Sequence, residues 1–319
     1  MTSEVSERAR ALVTERLDDA VRLGASLGHL IADPEAFVAA LQSGFAGLAD
    51  AEYRSEQARV APGGGQVFGV RVPLQRAVER GLRPALRESP PAYLISLAAR
   101  LIRAEEREIR LLSLALLRHS LREDPERSWQ LMRRLGRRAA DWTSVDTLAE
   151  VVGLGILMEP YRWAELEQLV YSPSRWERRL VGSSLAELPF AVETADRTRL
   201  AGTPGLTLIE SLLGDSEPDV QKALSWALRS WVQVDPVGVE ALVRREAAVA
   251  AVQNDGHRAW VLRDAAAALP APVQAEIREL LRGIRRRGDA QPTSRAAEAA
   301  RLLHGLPAAR PGPEAPLSV

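Results

Sequence analysis

Apolar residues recur every three or four positions along almost the whole chain, which is the period of an amphipathic helix. The first such stretch covers residues 5–30, and the next, residues 35–48, follows an Asp33-Pro34 pair that is typical of a helix start. Alternation with a period of two, which would indicate strands, never lasts more than a few residues. The pattern therefore predicts an all-α protein.

Breaks in this pattern divide the chain at regular intervals. A glycine triplet at residues 63–65 marks a loop, and from Pro73 onward helices alternate with short breaks that mostly contain proline. Helix pairs recur about every 35–45 residues, the period of HEAT-like repeats. We therefore predict a HEAT-like solenoid, a curved right-handed stack of antiparallel helix pairs. A plain helical bundle is the alternative.

The same breaks suggest three segments. Residues 1–62 are predicted to form an N-terminal helical segment and residues 66–285 the repeat domain. Residues 288–319 are predicted to contain one last helix, near residues 293–303, followed by a Pro- and Ala-rich disordered tail.

Composition excludes several kinds of site. The chain has 319 residues, of which 46% are hydrophobic and 26% charged, as is typical of a folded soluble protein. It has no cysteine, so a disulfide framework, a cysteine-based zinc site and a thiol nucleophile are excluded. The four histidines lie far apart and show no ligand spacing. We expect neither a metal nor another cofactor.

Hydropathy predicts a protein that does not enter a membrane. Residues 1–10 include acidic side chains and lack the apolar run of a signal peptide. The longest apolar runs, such as residues 151–158, are too short to span a bilayer. We expect a cytoplasmic protein, and since nothing in the pattern indicates an oligomer, a monomer.

Charge is balanced overall but unevenly distributed. The chain has 42 basic and 42 acidic residues, unlike a simple nucleic-acid-binding protein, whereas residues 71–150 hold 16 basic and 11 acidic ones. Such a segment is able to form a local phosphate-binding stripe. Arg134, Arg138 and Trp142 are spaced at i, i+4 and i+8, so one helix face would direct both arginines towards DNA; a solvated helix face explains them equally well.

Trp142 and Asp146 form the most informative pair. They are four residues apart and share one face of a helix, which Asp141 or Ser144 would cap. Taken alone, this spacing is explained most simply by a buried Trp142 beside a solvated Asp146, whose charge favours a helix start.

Three short motifs that follow one another along the chain suggest a functional role for Trp142 and Asp146. Residues 142–146 read Trp-x-x-Val-Asp, residues 176–179 read Trp-x-x-Arg, and residues 222–229 read Lys-Ala-x-x-Trp-x-Leu-Arg. With an aromatic-Gly-Val-Arg-x-Pro stretch at residues 68–73 and an Arg-Glu helix start at residues 105–108, the chain resembles the AlkD-like family of DNA alkylation repair glycosylases over about residues 66–265.

The resemblance implies roles for particular residues. The family's catalytic carboxylate corresponds to Asp146, its two cleft tryptophans to Trp142 and Trp226, and its backbone-gripping arginine to Arg179. Other expected DNA contacts are Arg229, Arg134, Arg138 and Lys222.

The resemblance also implies an activity. It is that of a monofunctional glycosylase removing positively charged alkylpurines, of the 3-methyladenine and 7-methylguanine type, from double-stranded DNA in base excision repair. A lyase step through a Schiff base would need an amine, and Lys222 is the only lysine of the chain.

Two other functions stay open on the sequence. One is a non-catalytic HEAT-repeat protein that binds damaged or branched DNA, and the other is a protein-interaction scaffold, which zero net charge permits. The complete set of Trp142, Asp146, Arg179 and Trp226 favours the glycosylase, whereas Glu187, where relatives can carry a basic residue, favours the alternatives.

Overall fold

The computed structural model describes residues 2–303, in which the only strand-like feature is one isolated parallel bridge between Gln66 and Glu106. The prediction of an all-α protein is confirmed. The α-helices are α1 Thr2–Leu27, α2 Pro34–Leu48, α3 Ala51–Val60, α4 Val72–Glu88, α5 Pro91–Leu101, α6 Arg107–Ser120, α7 Pro125–Arg138, α8 Trp142–Met158, α9 Arg162–Val170, α10 Arg175–Ala191, α11 Gly205–Leu212, α12 Pro218–Trp231, α13 Pro236–Gln253, α14 Gly256–Ala265, α15 Ala271–Leu280 and α16 Arg295–Leu303.

Short 3₁₀ helices complete the secondary structure at Gly28–Leu30, Thr194–Gly202 and Ala266–Ala268. The first of them follows α1, so the single helix predicted over residues 5–30 ends as an α-helix at Leu27 and finishes in a tighter turn. Across the described residues, every helix is too short or too polar to cross a bilayer.

Local capping explains where several helices begin. The Asp33 carboxylate accepts a hydrogen bond of 3.1 Å from the backbone N–H of Ala36, and Pro34 occupies the first helical position, as predicted. Asp-Pro pairs begin α7 and α13 in the same way. These helix starts depend only on neighbouring residues, so the sequence pattern predicts them.

The helices pack in two rows. The first row contains α1, α4, α6, α8, α10, α12 and α14, in which each helix packs against the next. The second contains α2, α5, α7, α9, α11, α13 and α15, and α16 packs against α11. Antiparallel pairs formed by one helix from each row repeat along the chain, so the predicted stack of helix pairs is confirmed.

Helices within the first row run in the same direction. Arg107 at the start of α6 lies 3.8 Å from Asp141 at the start of α8, and Arg118 near the end of α6 pairs at 2.8 Å with Glu150 in the middle of α8. The starts of these helices therefore lie along one edge of the row.

Small residues allow the first row to pack closely. A Cβ placed on Gly24 would lie 2.0 Å from the Val78 carbonyl oxygen, and one on Gly182 would lie 2.9 Å from the Ala223 Cβ. In the second row, by contrast, the large Trp129 side chain lies between α7 and α9. A stack spaced more closely along one row curves towards that row. We therefore call the first row the inner row, and its exposed surface the inner face.

The terminal segments extend the same stack. α1 packs along α4 and α2 along α5, so the described part of residues 1–62 continues both rows. The predicted boundaries at residues 62 and 285 remain predictions. The predicted last helix is present as α16, whereas the predicted disordered tail at residues 307–319 lies outside the described residues.

We expect Gly81→Ala to lower the free energy of unfolding by about 1–3 kcal/mol, because the added Cβ would overpack the contact between α1 and α4. It would lie 2.1 Å from the Val21 carbonyl oxygen. Gly47→Ala in α2, where a Cβ meets nothing within 4 Å, should instead gain up to about 1 kcal/mol from helix propensity. Urea denaturation of both variants checks this, and equal shifts would contradict the close approach.

Candidate nucleic-acid interface

The Asp146 carboxylate is held by three donors from the neighbouring helix α10. Arg179 donates from Nε to Oδ1 at 3.0 Å and from Nη2 to Oδ2 at 2.7 Å. Ser183, one turn further along α10, donates its hydroxyl to Oδ1 at 2.6 Å. A bidentate arginine and a third hydrogen bond fix the orientation of the carboxylate. The Asp146 side chain nevertheless keeps 20% of its surface exposed.

Arg179 links three helices of the inner row. Besides the pair with Asp146, its Nη1 donates at 2.6 Å to the carbonyl oxygen of Asp219 at the start of α12. Only 7% of the side chain is exposed. In this conformation Arg179 has little surface left for a DNA phosphate, and its predicted grip on the DNA backbone stays a prediction.

Trp142 is the first residue of α8 and is exposed. Its side chain lies at the edge of the inner row, 37% exposed, and the indole Nε1–H donates at 3.2 Å to the carbonyl oxygen of Val60 at the end of α3. The simplest interpretation of the sequence, a buried Trp142 beside a solvated Asp146, is therefore wrong. Asp146 lies one turn further along the same face of α8.

The start of α8 is capped by a buried aspartate. Asp141 accepts the backbone N–H of Ser144 at 3.0 Å and the Ser144 hydroxyl at 2.6 Å. Arg107, also buried, reaches to within 3.8 Å of the same carboxylate. The predicted caps, Asp141 and Ser144, thus act together, and a cation from α6 compensates the buried charge.

The glycine triplet packs directly onto this cap. A Cβ on Gly64 would lie 2.9 Å from Asp141 Oδ2. Gly63 and Gly65 have φ values of +96° and +78°, a backbone conformation that favours glycine. Because this loop follows α3, it also positions the Val60 carbonyl that binds Trp142. The glycine triplet predicts the loop, but no sequence pattern indicates this contact.

Two of the short segments that carry the family resemblance meet in the structure. Glu108 in α6 is buried and accepts hydrogen bonds from the backbone N–H groups of Gly69 at 2.8 Å, Phe68 at 3.2 Å and Val70 at 3.4 Å. The Arg-Glu helix start therefore holds the aromatic-Gly-Val-Arg loop in place, which is a structural role for both.

Trp226 lies on α12 of the inner row. It is half-buried and packs against the hydrophobic core, and Lys222, one turn earlier, is exposed. Asp219, whose carbonyl oxygen binds Arg179, lies two turns before Trp226 on the same face, about 10 Å along the axis. The four predicted catalytic residues thus lie on three successive inner helices, and Arg229, further along α12, pairs with Asp264.

Arg134 and Arg138 are placed differently from the expectation. α7 ends at Arg138 and α8 begins at Trp142, so the helical spacing assumed between these arginines and Trp142 is wrong. The reason is the Asp141 cap, which starts a new helix in another direction. Both arginines are exposed on α7, a helix of the second row, and their DNA contact stays a prediction.

Two further carboxylates, those of Glu150 and Glu187, lie on the same part of the inner face as the pair between Asp146 and Arg179. Burial, followed by the nearby charges of Glu150 and Asp146, raises the pKa of Glu187 on α10. Glu150 pairs with Arg118. This part of the inner face therefore suits a positively charged group better than a phosphate. Within the described residues, no cluster of three or more histidine, aspartate or glutamate side chains is arranged to hold a metal ion.

A family model described as DNA alkylation repair enzyme matches residues 41–269, most of the chain and all four predicted catalytic positions. No curated protein matches the sequence.

We expect Arg179→Met to lower the free energy of unfolding by about 3 kcal/mol, because it leaves the Asp146 carboxylate partly buried without its counter-ion. Adding Asp146→Leu should restore part of the loss, since both charges are then absent. Urea denaturation of the two single variants and the double variant measures this coupling. Strictly additive effects would show that the pair contributes nothing to stability.

We expect Glu187→Gln to stabilise the protein at pH 7 and to do so less at pH 4. The folded-state pKa of Glu187 is raised from 4.5, so the folded state favours the protonated side chain and loses stability as the pH rises through the raised pKa. Thermal unfolding between pH 4 and pH 8 tests the sign. Glu167→Gln, at an exposed position on α9, is the control and should show no such trend.

Proposed function

The chain belongs to the DNA alkylation repair enzyme family, and from this membership we propose that it is a monofunctional DNA glycosylase. Its substrates are positively charged alkylpurines of the 3-methyladenine and 7-methylguanine type in double-stranded DNA. The observation that carries the proposal is a partly exposed carboxylate, Asp146, fixed by three donors one turn away from the exposed indole of Trp142.

Departure of the alkylated base requires little catalysis by the protein, because the base already carries a positive charge. Alkylation at N3 or N7 gives the purine a positive charge, so the electron pair of the breaking C1′–N bond returns to the ring and neutralises it. The sugar becomes an oxocarbenium ion, as in glycoside hydrolysis. A water molecule then forms the new C1′–O bond and loses a proton. The enzyme therefore has to stabilise a cation and to admit water.

Asp146 meets both requirements. A carboxylate with a fixed orientation stabilises the developing positive charge on the sugar without reorganising during the reaction. Arg179 and Ser183 act as positioning residues, because they hold the carboxylate and neither needs to touch the substrate. Water attacks on the side facing the carboxylate, which orients it and accepts its proton directly or through solvent.

Trp142 and Trp226 supply the aromatic surfaces. Indole faces attract cations, and both rings lie on inner-row helices on either side of α10. The hydrogen bond from Trp142 to Val60 restricts rotation of its ring, so less freedom is lost when DNA binds. Lys222, the only lysine, contacts a phosphate in this proposal and forms no Schiff base.

A second function has one observation in its favour. Arg179 is almost fully buried, so the backbone grip that the family resemblance implies has no free guanidinium in this conformation. A protein that binds damaged or branched DNA through the inner face without excising a base would not need that grip.

We expect Asp146→Asn to reduce the release of 3-methyladenine and 7-methylguanine from alkylated duplex DNA by about 10²–10³-fold, since it removes the charge that stabilises the cationic sugar. Affinity for the same duplex should stay within about threefold of wild type. Chromatographic analysis of released bases and fluorescence anisotropy measure the two quantities.

The control for this prediction is Asp196→Asn, at a surface position in the 3₁₀ segment between α10 and α11. It should release bases at the wild-type rate. Wild-type protein that binds the duplex but releases no base would end the glycosylase proposal and support the DNA-binding alternative.

A further inference from the structure

Four arginines form a stripe along α4. Arg76, Arg80, Arg83 and Arg87 are spaced at i, i+4, i+7 and i+11, so their side chains start within about 60° of one another around the helix. All four are exposed. We call this set the arginine stripe; it spans about 16 Å of the helix axis.

The charges of the arginine stripe are only partly compensated within the protein, because Glu79 on the same helix interacts electrostatically with Arg76 and Arg83. Most arginines of the inner row have a carboxylate partner, as Arg118, Arg179 and Arg229 do. In the part of the chain that the structure describes, no carboxylate oxygen lies within 4.0 Å of any of the four. Like charges one turn apart destabilise a helix. Four exposed arginines beside one partly buried carboxylate, Glu79, leave a net positive charge that an external anion would balance.

The stripe lies on the inner face. α4 buries the opposite side of the helix, including Leu74, Val78 and Leu82, against the core, and it packs between α1 and α6 in the inner row. Burial raises the pKa of Glu79 on the same helix, and the charges of Arg118, Glu150, Arg76 and Arg83 also act on it, so Glu79 lies between the stripe and α6.

Neighbouring cations extend the stripe onto α6. Arg118 lies near the end of α6 and Arg122 just beyond it. Burial is the largest cause of the lowered pKa of His119, and the charges of Arg87, Arg118, Arg83 and Arg122 lower it further. These four cations therefore lie near one another at the ends of α4 and α6. The ends of α4 and α6 therefore carry a basic area, at whose border Arg118 pairs with Glu150 of α8.

We propose that the arginine stripe binds the phosphate backbone of the duplex arm on one side of the damaged base. The inference deepens the proposed function, because it takes Asp146 as the position of that base. From α8 to α4 is two helix spacings, about 16–20 Å at 8–10 Å each. At about 3.4 Å per base pair, this corresponds to five or six base pairs.

A duplex fits the stripe better than an acidic protein would. A duplex that runs from α8 across α6 to α4 crosses the α4 axis, so the stripe meets the phosphates at one place along the arm. The stripe also shares the inner row with Trp142 and Trp226, two of the predicted catalytic residues, and with Lys222, a predicted DNA contact. An acidic protein partner would leave DNA binding unchanged by the substitutions below, and is an outcome of the test.

The first experiment measures salt dependence of binding to an unmodified duplex of about 20 base pairs. We expect Arg80→Gln/Arg87→Gln to reduce the slope of log K against log salt by about 1.8, since each lost phosphate contact contributes about 0.9. The control is Arg127→Gln/Arg278→Gln, which changes net charge equally on α7 and α15 of the second row. An unchanged slope, or an equal change in the control, would overturn the proposal.

The second experiment shortens one arm of a duplex that carries a single 7-methylguanine. Wild-type affinity should fall when one arm becomes shorter than about six base pairs, and less when the other arm is shortened. The affinity of the Arg80→Gln/Arg87→Gln variant should not change when that arm is shortened, because the variant has already lost the contact with it. Equal losses in wild type and variant at every arm length would overturn the proposal.

These measurements separate the stripe from the glycosylase proposal. Both record binding, and base release is measured independently on the same duplexes. If release fails while the slope and the arm dependence behave as expected, the stripe is a DNA contact of a non-catalytic protein. If release persists while the slope is unchanged, only the stripe proposal fails. Thermal unfolding of the variant should match or exceed wild type, because like-charge repulsion is reduced.

Discussion

The ion pair between Asp146 and Arg179 couples the proposed chemistry to the stacking of the helices. Arg179 contacts α8 through a carboxylate and α12 through a backbone carbonyl, so a shift of α10 against either of these helices moves the partners of the Asp146 carboxylate. A buried pair of this kind adds little net stability, because desolvation offsets much of the attraction. It does select one arrangement, since other registers leave a charge unpaired. In a repeat stack, where neighbouring helix pairs make similar contacts, such an ion pair specifies how the helices are aligned.

Charge along the inner face is unevenly distributed. Asp146, Glu150 and Glu187 lie together on α8 and α10, where Arg179 and Arg118 pair with two of them, whereas the four arginines of the stripe lie on α4. The net charge of zero gives no sign of this distribution. For the proposed substrate the distribution is favourable, because a damaged duplex presents a cationic base at one point and anionic phosphates beside it.

Residues that mark the family also hold the fold together. Glu108 binds three backbone N–H groups of the loop before α4, and Gly64 lets the glycine loop reach the Asp141 cap. Through Val60 the same region binds Trp142. The N-terminal helices therefore contribute to the candidate site without supplying a predicted catalytic side chain. A residue that belongs to a family motif can have a structural role, such as positioning a loop, and need not take part in the reaction.

The sequence by itself determined what depends on near neighbours. Helical period, the Asp-Pro caps and the shared face of Trp142 and Asp146 follow from interactions within a few residues, and the family motifs placed the candidate site. Only the tertiary structure decided that Arg179 is buried and that Trp142 is exposed and bound to Val60. The physical reason is distance along the chain. Partners 33, 40 and 82 residues away share no periodic signal, so stacking the helices is what brings them together.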